Sequence, residues 1–496
     1  MTRPAPSTGP QLIAYADRLG GSIPALTALL RGPLAGVFDG VHILPFYTPF
    51  DGADAGFDPV DHTAVDPRLG TWSDVADLAT SHTVMADMIV NHVSVDSAAF
   101  QDVLARGDRS PAAGMFLTFG SVYPDGADEA ELARIYRPRP GLPFTPMTLG
   151  DTRHLVWTTF TPQQIDLDVR STAGREYLDQ VLTALTSAGV GMIRLDAVGY
   201  GVKTPGTSSF MTPETFAFID ELTAAARAQG AQVLVEIHSH YQRQIAIAER
   251  VDLVYDFALP PLVLHTLYTG DTAALRHWLD VRPSNAITVL DTHDGIGVVD
   301  VGPDQIEPHA PGLLTAAQVD ALVESIHEHS GGQSREATGW AASNVDVYQV
   351  NCTFYDALDR DDARHVAARA IQLFTPGIPQ VYYVGLLAGV NDMDLLARTG
   401  VGRDINRHRF DAEEVEAAWG SWATRTVLEL LRLRRSHPAF GGRFRVEGEG
   451  AELILAWENG DATARLVLDA GSGVGRVEVS ADGDGPARTL VLTPES

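Results

Sequence analysis

Along the first four-fifths of the chain, short apolar runs rich in β-branched and aromatic residues alternate with stretches whose apolar positions recur at helical spacing. The runs occupy residues 12–15, 41–45, 84–90, 192–196, 232–237, 253–257, 286–291 and 380–384. Between the fourth and fifth, residues 171–189 place Leu178, Val181, Leu182 and Leu185 on one face, with Ser171 or Thr172 as N-cap and Gly189 as the stop. A second helix starts at Thr212-Pro213-Glu214, turns Phe218, Ile219 and Leu222 inward and ends at Gly230. Buried strands alternating with amphipathic helices imply a parallel sheet, and eight of them imply closure into an α/β (β/α)8 TIM barrel.

Two gaps break that rhythm. Residues 93–167, after the third run, are too long and too rich in Gly and Pro for an ordinary connection, and 295–357, after the seventh, carry a helical pattern over 316–329 and a polar loop at 344–349. Both follow strand C-termini, so both inserted subdomains are expected to overhang the face where barrel enzymes keep their chemistry. After a helix containing Leu428, Leu431 and Leu433 the pattern becomes alternation, at 453–457, 464–468 and 489–492, which predicts a C-terminal all-β domain. The expected division is a barrel in three parts (1–89, 171–295 and 360–439), insertions at 90–170 and 296–359, and a β domain at 440–496.

Composition narrows the partners. Lys and Arg number 36 against 64 Asp and Glu, a formal charge of −28, so nucleic acid and anionic membranes, which need basic clusters, are poor partners. The same charge repels anionic substrates at long range. Cys352 has no partner for an intrachain disulfide and sits between apolar neighbours, which reads as a small buried hydrophobe. Nowhere do about 18 apolar residues run together, and residues 1–10 have no apolar centre, so neither a membrane span nor a signal peptide is expected and the default compartment is cytoplasmic.

The chemistry-bearing residues fall at strand ends. Asp87 lies in the third run; Arg194 and Asp196 end the fourth; Glu236 and His238 end the fifth; Asp291, His293 and Asp294 end or follow the seventh. Side chains two apart on a strand point the same way, so Arg194 is expected to keep Asp196 ionised, as a nucleophile requires. Glu236 has no Arg at that spacing and is the better candidate for a protonated general acid. Asp256 reads as a structural acid, and the glycines at 471–475 read as a turn, their spacing being wrong for a dinucleotide site. There is no HExxH, GxSxG, Walker A or CxxC motif.

In order and strand position, the segments 87–92 and 194–196, Glu236 and His293-Asp294 resemble the four motifs of the α-amylase superfamily (glycoside hydrolase family 13). Segments 50–59, 136–145, 193–201, 291–297 and 402–408 resemble the sucrose phosphorylases within it, and Gly199-Tyr200 stands where many amylases have Lys-His. That departure argues against a starch hydrolase and weakens any expectation of the amylase calcium site; no metal or cofactor is expected.

The resemblance implies a retaining glycosyltransferase acting on sucrose and inorganic phosphate to give glucose 1-phosphate and fructose, with catalytic carboxyls ~5 Å apart. It implies Asp196 as nucleophile, Glu236 as general acid/base and Asp294 as transition-state stabiliser. Asp54, His92, Arg194, His238, His293, Gln349 and Arg403 would bind substrate, with Phe57 and Tyr200 as apolar walls. Tyr136, Arg139, Asp346 and Tyr348 would form the phosphate and fructose subsite, with Arg139 the phosphate clamp. A homodimer is a further expectation of the resemblance. Alternatives are relatives acting on sucrose 6'-phosphate, glucosylglycerol or glucosylglycerate, a sucrose hydrolase or transglucosidase with the same acids, and a non-catalytic barrel, which would be expected to have lost the acids. A charged acceptor would want extra basic groups, whereas residues 344–349 offer Asp346 and no Lys or Arg.

Overall fold

The computed structural model describes residues 9–137, 141–304, 309–339, 349–481 and 488–494. Eight strands close a barrel: β1 (Gln11–Ala14), β2 (Gly40–Ile43), β3 (Thr83–Ile89), β4 (Met192–Asp196), β5 (Gln232–Val235), β6 (Leu253–Asp256), β7 (Ala286–Thr288) and β8 (Ile378–Tyr382). Each strand pairs in parallel with its sequence neighbour, and β8 returns to β1 with Gln11 opposite Gln380. All-parallel pairing needs helices on the outer face, so the strands are buried on both sides and read as continuous apolar runs. The polar side chains that do point inward find one another: Gln380 donates to Gln11 at 2.8 Å.

The structure refines the expected elements at their ends. The first inter-strand helix is Thr172–Ser187 with Ser171 as its cap, its hydroxyl accepting from the Gly174 N–H; the second is Pro213–Ala228, capped by Thr212. The run at 380–384 straddles two elements, because Tyr383 and Val384 belong to the short helix Tyr383–Leu386 that follows β8. Apolar character continues through the junction, since both elements are buried, and hydropathy alone does not mark it.

After β3, a first inserted segment builds its own hairpin (Phe144–Leu149 with Thr152–Trp157) around a small core of Leu117, Val122, Tyr123, Ile135 and Trp157. It is joined to the barrel by Lys203, whose ammonium reaches Asp166 at 2.7 Å, Asn91 at 2.8 Å and the carbonyl of Tyr200. After β7, a second insertion contributes the pair Ile296–Gly297 with Gln349–Val350 and the helix Ala316–His329. Beyond the last barrel helix, Trp422–Ser436, strands β9 (Arg443–Glu447), β10 (Glu452–Asn459), β11 (Ala462–Asp469), β12 (Val474–Ser480) and β13 (Arg488–Val491) form one antiparallel sheet in chain order. Its Leu453, Leu455, Leu466 and Leu468 are buried, and Trp457 donates its indole N–H to the Phe374 carbonyl of a barrel helix at 2.7 Å. Among the described residues, no helix is long and apolar enough to cross a membrane.

Candidate active site

The C-terminal ends of β3, β4 and β5 and the segment after β7 bring their acids to one pocket. Arg194 on β4 is the hub: one terminal nitrogen reaches Asp87 at 2.5 Å and Asp196 at 2.7 Å, and the other lies 3.9 Å from Glu236. Asp87 itself is wholly buried beneath the pocket, also bonded to His42 at 2.8 Å, so it anchors the hub and does not face a ligand. Asp196 is the last residue of β4, and Ala197 after it takes a left-handed backbone (φ 53°), which turns the chain sharply at that point. The Ala197 N–H then points to a Glu236 carboxyl oxygen at 3.4 Å.

Opposite these two acids, Asp294 is bound by Arg403 at 2.8 Å, with His293 at 3.6 Å and Arg407 at 3.9 Å. Burial works against charge on Asp294, but Arg403, His293, Arg407 and Arg194 outweigh it and hold its carboxyl far below the usual range. Asp196 is different. Burial is its largest influence and pushes it up to about 8; Arg194 opposes this, while Glu236, Asp87 and Asp294 add to it. The expectation that Arg194 keeps Asp196 ionised is therefore corrected: the guanidinium is shared among three carboxyls, and one cation does not offset burial plus three like charges.

One end of the pocket is closed. His92 bonds the Phe57 carbonyl at 2.9 Å and meets Gln164 at 3.1 Å; Gln164 also reaches Asp54 at 3.4 Å. Phe57 stacks on His293 at 4.5 Å, and burial drops the His293 pKa to about 3, so this ring is neutral. The other end is an aromatic gate: Tyr200 packs against Phe160 (5.2 Å) and Phe210 (4.7 Å), and Tyr136 stacks on Phe210 (4.6 Å). Gly199 is required there, since a Cβ would fall 2.7 Å from the Phe210 ring. Gln349 and His238 complete this side, 3.2 Å apart.

Of the residues singled out in the sequence, Asp54, Phe57, His92, Asp196, Tyr200 and Glu236 line this one pocket, as do His238, His293, Asp294, Gln349 and Arg403. Arg194 lies beneath them and Tyr136 borders the gate. Arg139, Asp346 and Tyr348 lie outside the described residues. Phe160, Gln164 and Phe210 line the pocket too, and the wholly buried Arg407 lies behind it, 3.9 Å from Asp294 and 4.0 Å from Asp54; none of the four is among the site residues expected from the sequence. Asp256 plays a structural part, accepting from Leu259 N–H, Trp278 and Arg282. Cys352 is buried and burial pushes its thiol up, which makes it unreactive. Among the described residues, no group of three or more His, Cys, Asp or Glu is arranged to hold a metal.

A closed parallel barrel presenting a strand-end Asp, a Glu just past the end of the adjoining strand and an arginine-bound Asp opposite them defines the α-amylase class of glycoside-active enzymes. The α-amylase catalytic-domain family matches residues 36–272. A sucrose phosphorylase of Agrobacterium vitis is 56% identical over 95% of this chain and 96% of its own length, and one of Bifidobacterium adolescentis is 52% identical over 94% and 93%. The crystal structure of sucrose 6F-phosphate phosphorylase from Thermoanaerobacter thermosaccharolyticum superposes with a TM-score of 0.89 at 37% identity, covering 98% of this chain and 99% of that one. The chain belongs to the sucrose phosphorylase family.

Proposed function

We propose that this enzyme converts sucrose and phosphate to α-D-glucose 1-phosphate and D-fructose by two successive displacements at the anomeric carbon. The observation that carries the reading is the placement of Asp196 and Glu236 on adjoining strand ends, bridged by the buried Arg194 within one pocket. The Asp196 carboxylate attacks the anomeric carbon, the bond to the fructosyl oxygen breaks, and Glu236 delivers its proton to that oxygen. Phosphate then attacks the anomeric carbon, giving its proton to Glu236 as the bond to Asp196 breaks, and the net configuration is retained.

A bound glucosyl ring changes the proton balance in the required direction. Sugar hydroxyls donating to Asp196 favour its ionised form, against the burial that raises it. Asp294, already ionised and gripped by Arg403, is placed to bind ring hydroxyls, most strongly as the ring flattens. His92, His293, Asp54 and Gln164 supply polar contacts at the closed end, so the pocket suits one hexosyl unit there, with the leaving sugar between Tyr136, Gln349 and His238.

What separates a phosphorylase from a hydrolase is the species that resolves the ester, so the gate must admit phosphate and disfavour water. The aromatic stack of Tyr136, Tyr200, Phe160 and Phe210 excludes water, and Arg139 is our candidate for the phosphate clamp. We place the enzyme in the cytoplasm, which suits a chain whose one thiol is buried and free. The test is incubation with sucrose, with and without phosphate, reading fructose, glucose and glucose 1-phosphate. Fructose and glucose 1-phosphate in equal amounts, dependent on phosphate, are expected; free glucose in both tubes without glucose 1-phosphate would overturn the proposal. Asp196→Ala should abolish all three products.

A further inference from the structure

The second insertion supplies a buried acid that the chemistry above does not use. Asp300 has no solvent exposure and lies beside the acceptor end of the pocket. Its Oδ2 bonds His238 Nδ1 at 2.8 Å, and its Oδ1 takes the Ser239 N–H at 3.0 Å and the Gln244 amide N–H at 2.6 Å. On the ring's other side Nε2 is 3.2 Å from the Gln349 amide nitrogen and 3.8 Å from Glu236 Oε1, and the ring lies flat on Phe257 at 3.8 Å. Gly297 makes the contact possible, because a Cβ there would sit 2.7 Å from Asp300 Oδ2 and 3.1 Å from His238 Nδ1. Gly297 is also the register partner of Gln349, so one two-stranded ribbon places both neighbours of the ring.

We propose that Asp300 is a positioning residue for the phosphate step, holding His238 with its Nδ1 proton turned away from the pocket and its Nε2 turned toward the acceptor side, as a charge-compensated donor to incoming phosphate beside Glu236. The proposal rests on the phosphorylase reading above. A carboxylate only accepts hydrogen bonds, so the Nδ1 facing it carries the proton. Burial disfavours charge on the imidazole, and Asp300, Glu236 and Asp294 outweigh it and raise its pKa above the usual value. Asp300 thus favours a protonated imidazole at a site that must accept a dianion on a protein of strongly negative net charge.

The local bonding predicts an unusual response to Asp300→Asn. Two donors converge on Oδ1, and Gln244 is held in its orientation by a second bond to the Ser239 carbonyl at 3.0 Å. The amide oxygen must therefore take the Oδ1 place, which turns the amide N–H toward His238 Nδ1, so that this nitrogen gives up its proton and the ring is left neutral with its proton on Nε2. Nitrogen-15 NMR of histidine-labelled protein, with His238→Gln to assign the signal, reads the loss of the Nδ1 proton, and unchanged signals from the other histidines show that the variant stays folded. In steady-state kinetics the variant should raise KM for phosphate at least tenfold while the rate of the fructose burst in a single turnover changes less than threefold. Gly297→Ala, which pushes Asp300 off the ring, should show the same split. An Nδ1 that stays protonated in Asp300→Asn, or equal losses in both half-reactions for both variants, would overturn the proposal. A wild-type enzyme that makes no glucose 1-phosphate would instead sink the phosphorylase reading itself.

Discussion

Asp196→Asn should make the empty enzyme more stable while inactivating it, and the gain should depend on pH in one direction only. In the folded protein the Asp196 carboxyl stands at about 8, against 3.8 for an ordinary Asp. A carboxyl raised on folding costs nothing below its unfolded value, and its cost grows until pH passes the folded value. At pH 7 the interval from 3.8 is about 3 pH units, which at about 1.4 kcal/mol per unit gives an upper bound of about 4 kcal/mol. The amide relieves that cost but weakens the 2.7 Å bond to Arg194, a loss of about 1.5–3 kcal/mol for a charged partner. The net expectation is at most about 1–2.5 kcal/mol of added stability at pH 7. Scanning calorimetry of both proteins from pH 4 to 8 should show the variant less stable near pH 4, where only the weakened bond counts, and a difference that moves in its favour as pH rises. A gain that widens toward acid, or destabilisation at pH 8, would refute the argument. Asp294→Asn is the control of opposite sign: its folded carboxyl is depressed, so removing it should destabilise at every pH above about 4.

Other outcomes follow from particular contacts. Glu236→Gln should slow fructose release by about 10²–10⁴, read in a single turnover with sucrose, because the leaving oxygen loses its proton donor. Arg139→Ala should slow phosphorolysis far more than formation of the glucosyl-enzyme; equal loss in both half-reactions would discard Arg139 as the clamp. Gly385→Ala places a Cβ 1.9 Å from both Arg369 and Asp291, so it should break their buried ion pair at a cost of about 3–5 kcal/mol in denaturant melts. Burial lowers His62 to about 4 and His293 and His365 to about 3. The unfolded chain gains those protons first as pH falls below about 6.5, so stability should drop by up to about 4 kcal/mol per pH unit before Asp196, of opposite sign, offsets about one of the three. A flat stability curve from pH 6.5 to 4.5 would contradict it.

Much of this was legible in the sequence because a barrel whose strands are buried on both faces writes each strand as an apolar run and ends it on the polar residue that faces the ligand. β4 shows this best: residues 192–196 are both the expected run and the observed strand, with Arg194 and Asp196 on one side. Ends were harder. Residues 236–237 and 289–291 extend their runs beyond β5 and β7, because Ile237, Val289 and Leu290 stay buried after strand pairing stops. Phe160 and Phe210 sit on connections with no period, and Gln164 opens a strand of only three residues, Gln164–Asp166, too short to show one; tertiary packing alone brings them to the pocket. One signal did exist: Gly199, beside the family's Gly199-Tyr200 signature, marks a close approach, and Phe210 is what approaches. The protonation balance was the least legible, since Arg194 is two residues from Asp196 in sequence, whereas Asp87, Glu236 and Asp294 meet it only in space.

The ammonium of Lys203, set among the oxygens of Asp166, Asn91 and Tyr200, fastens the first insertion to the strand ends that carry the acids. A cation that arrives on its own carbon stem has no dissociation constant and no competitor in solution. The register between the aromatic gate and the nucleophile is therefore inherited with the polypeptide and is insensitive to chelators at that joint, while its weak point is chemical: acylation or loss of that single amine would loosen the mouth of the barrel from its floor.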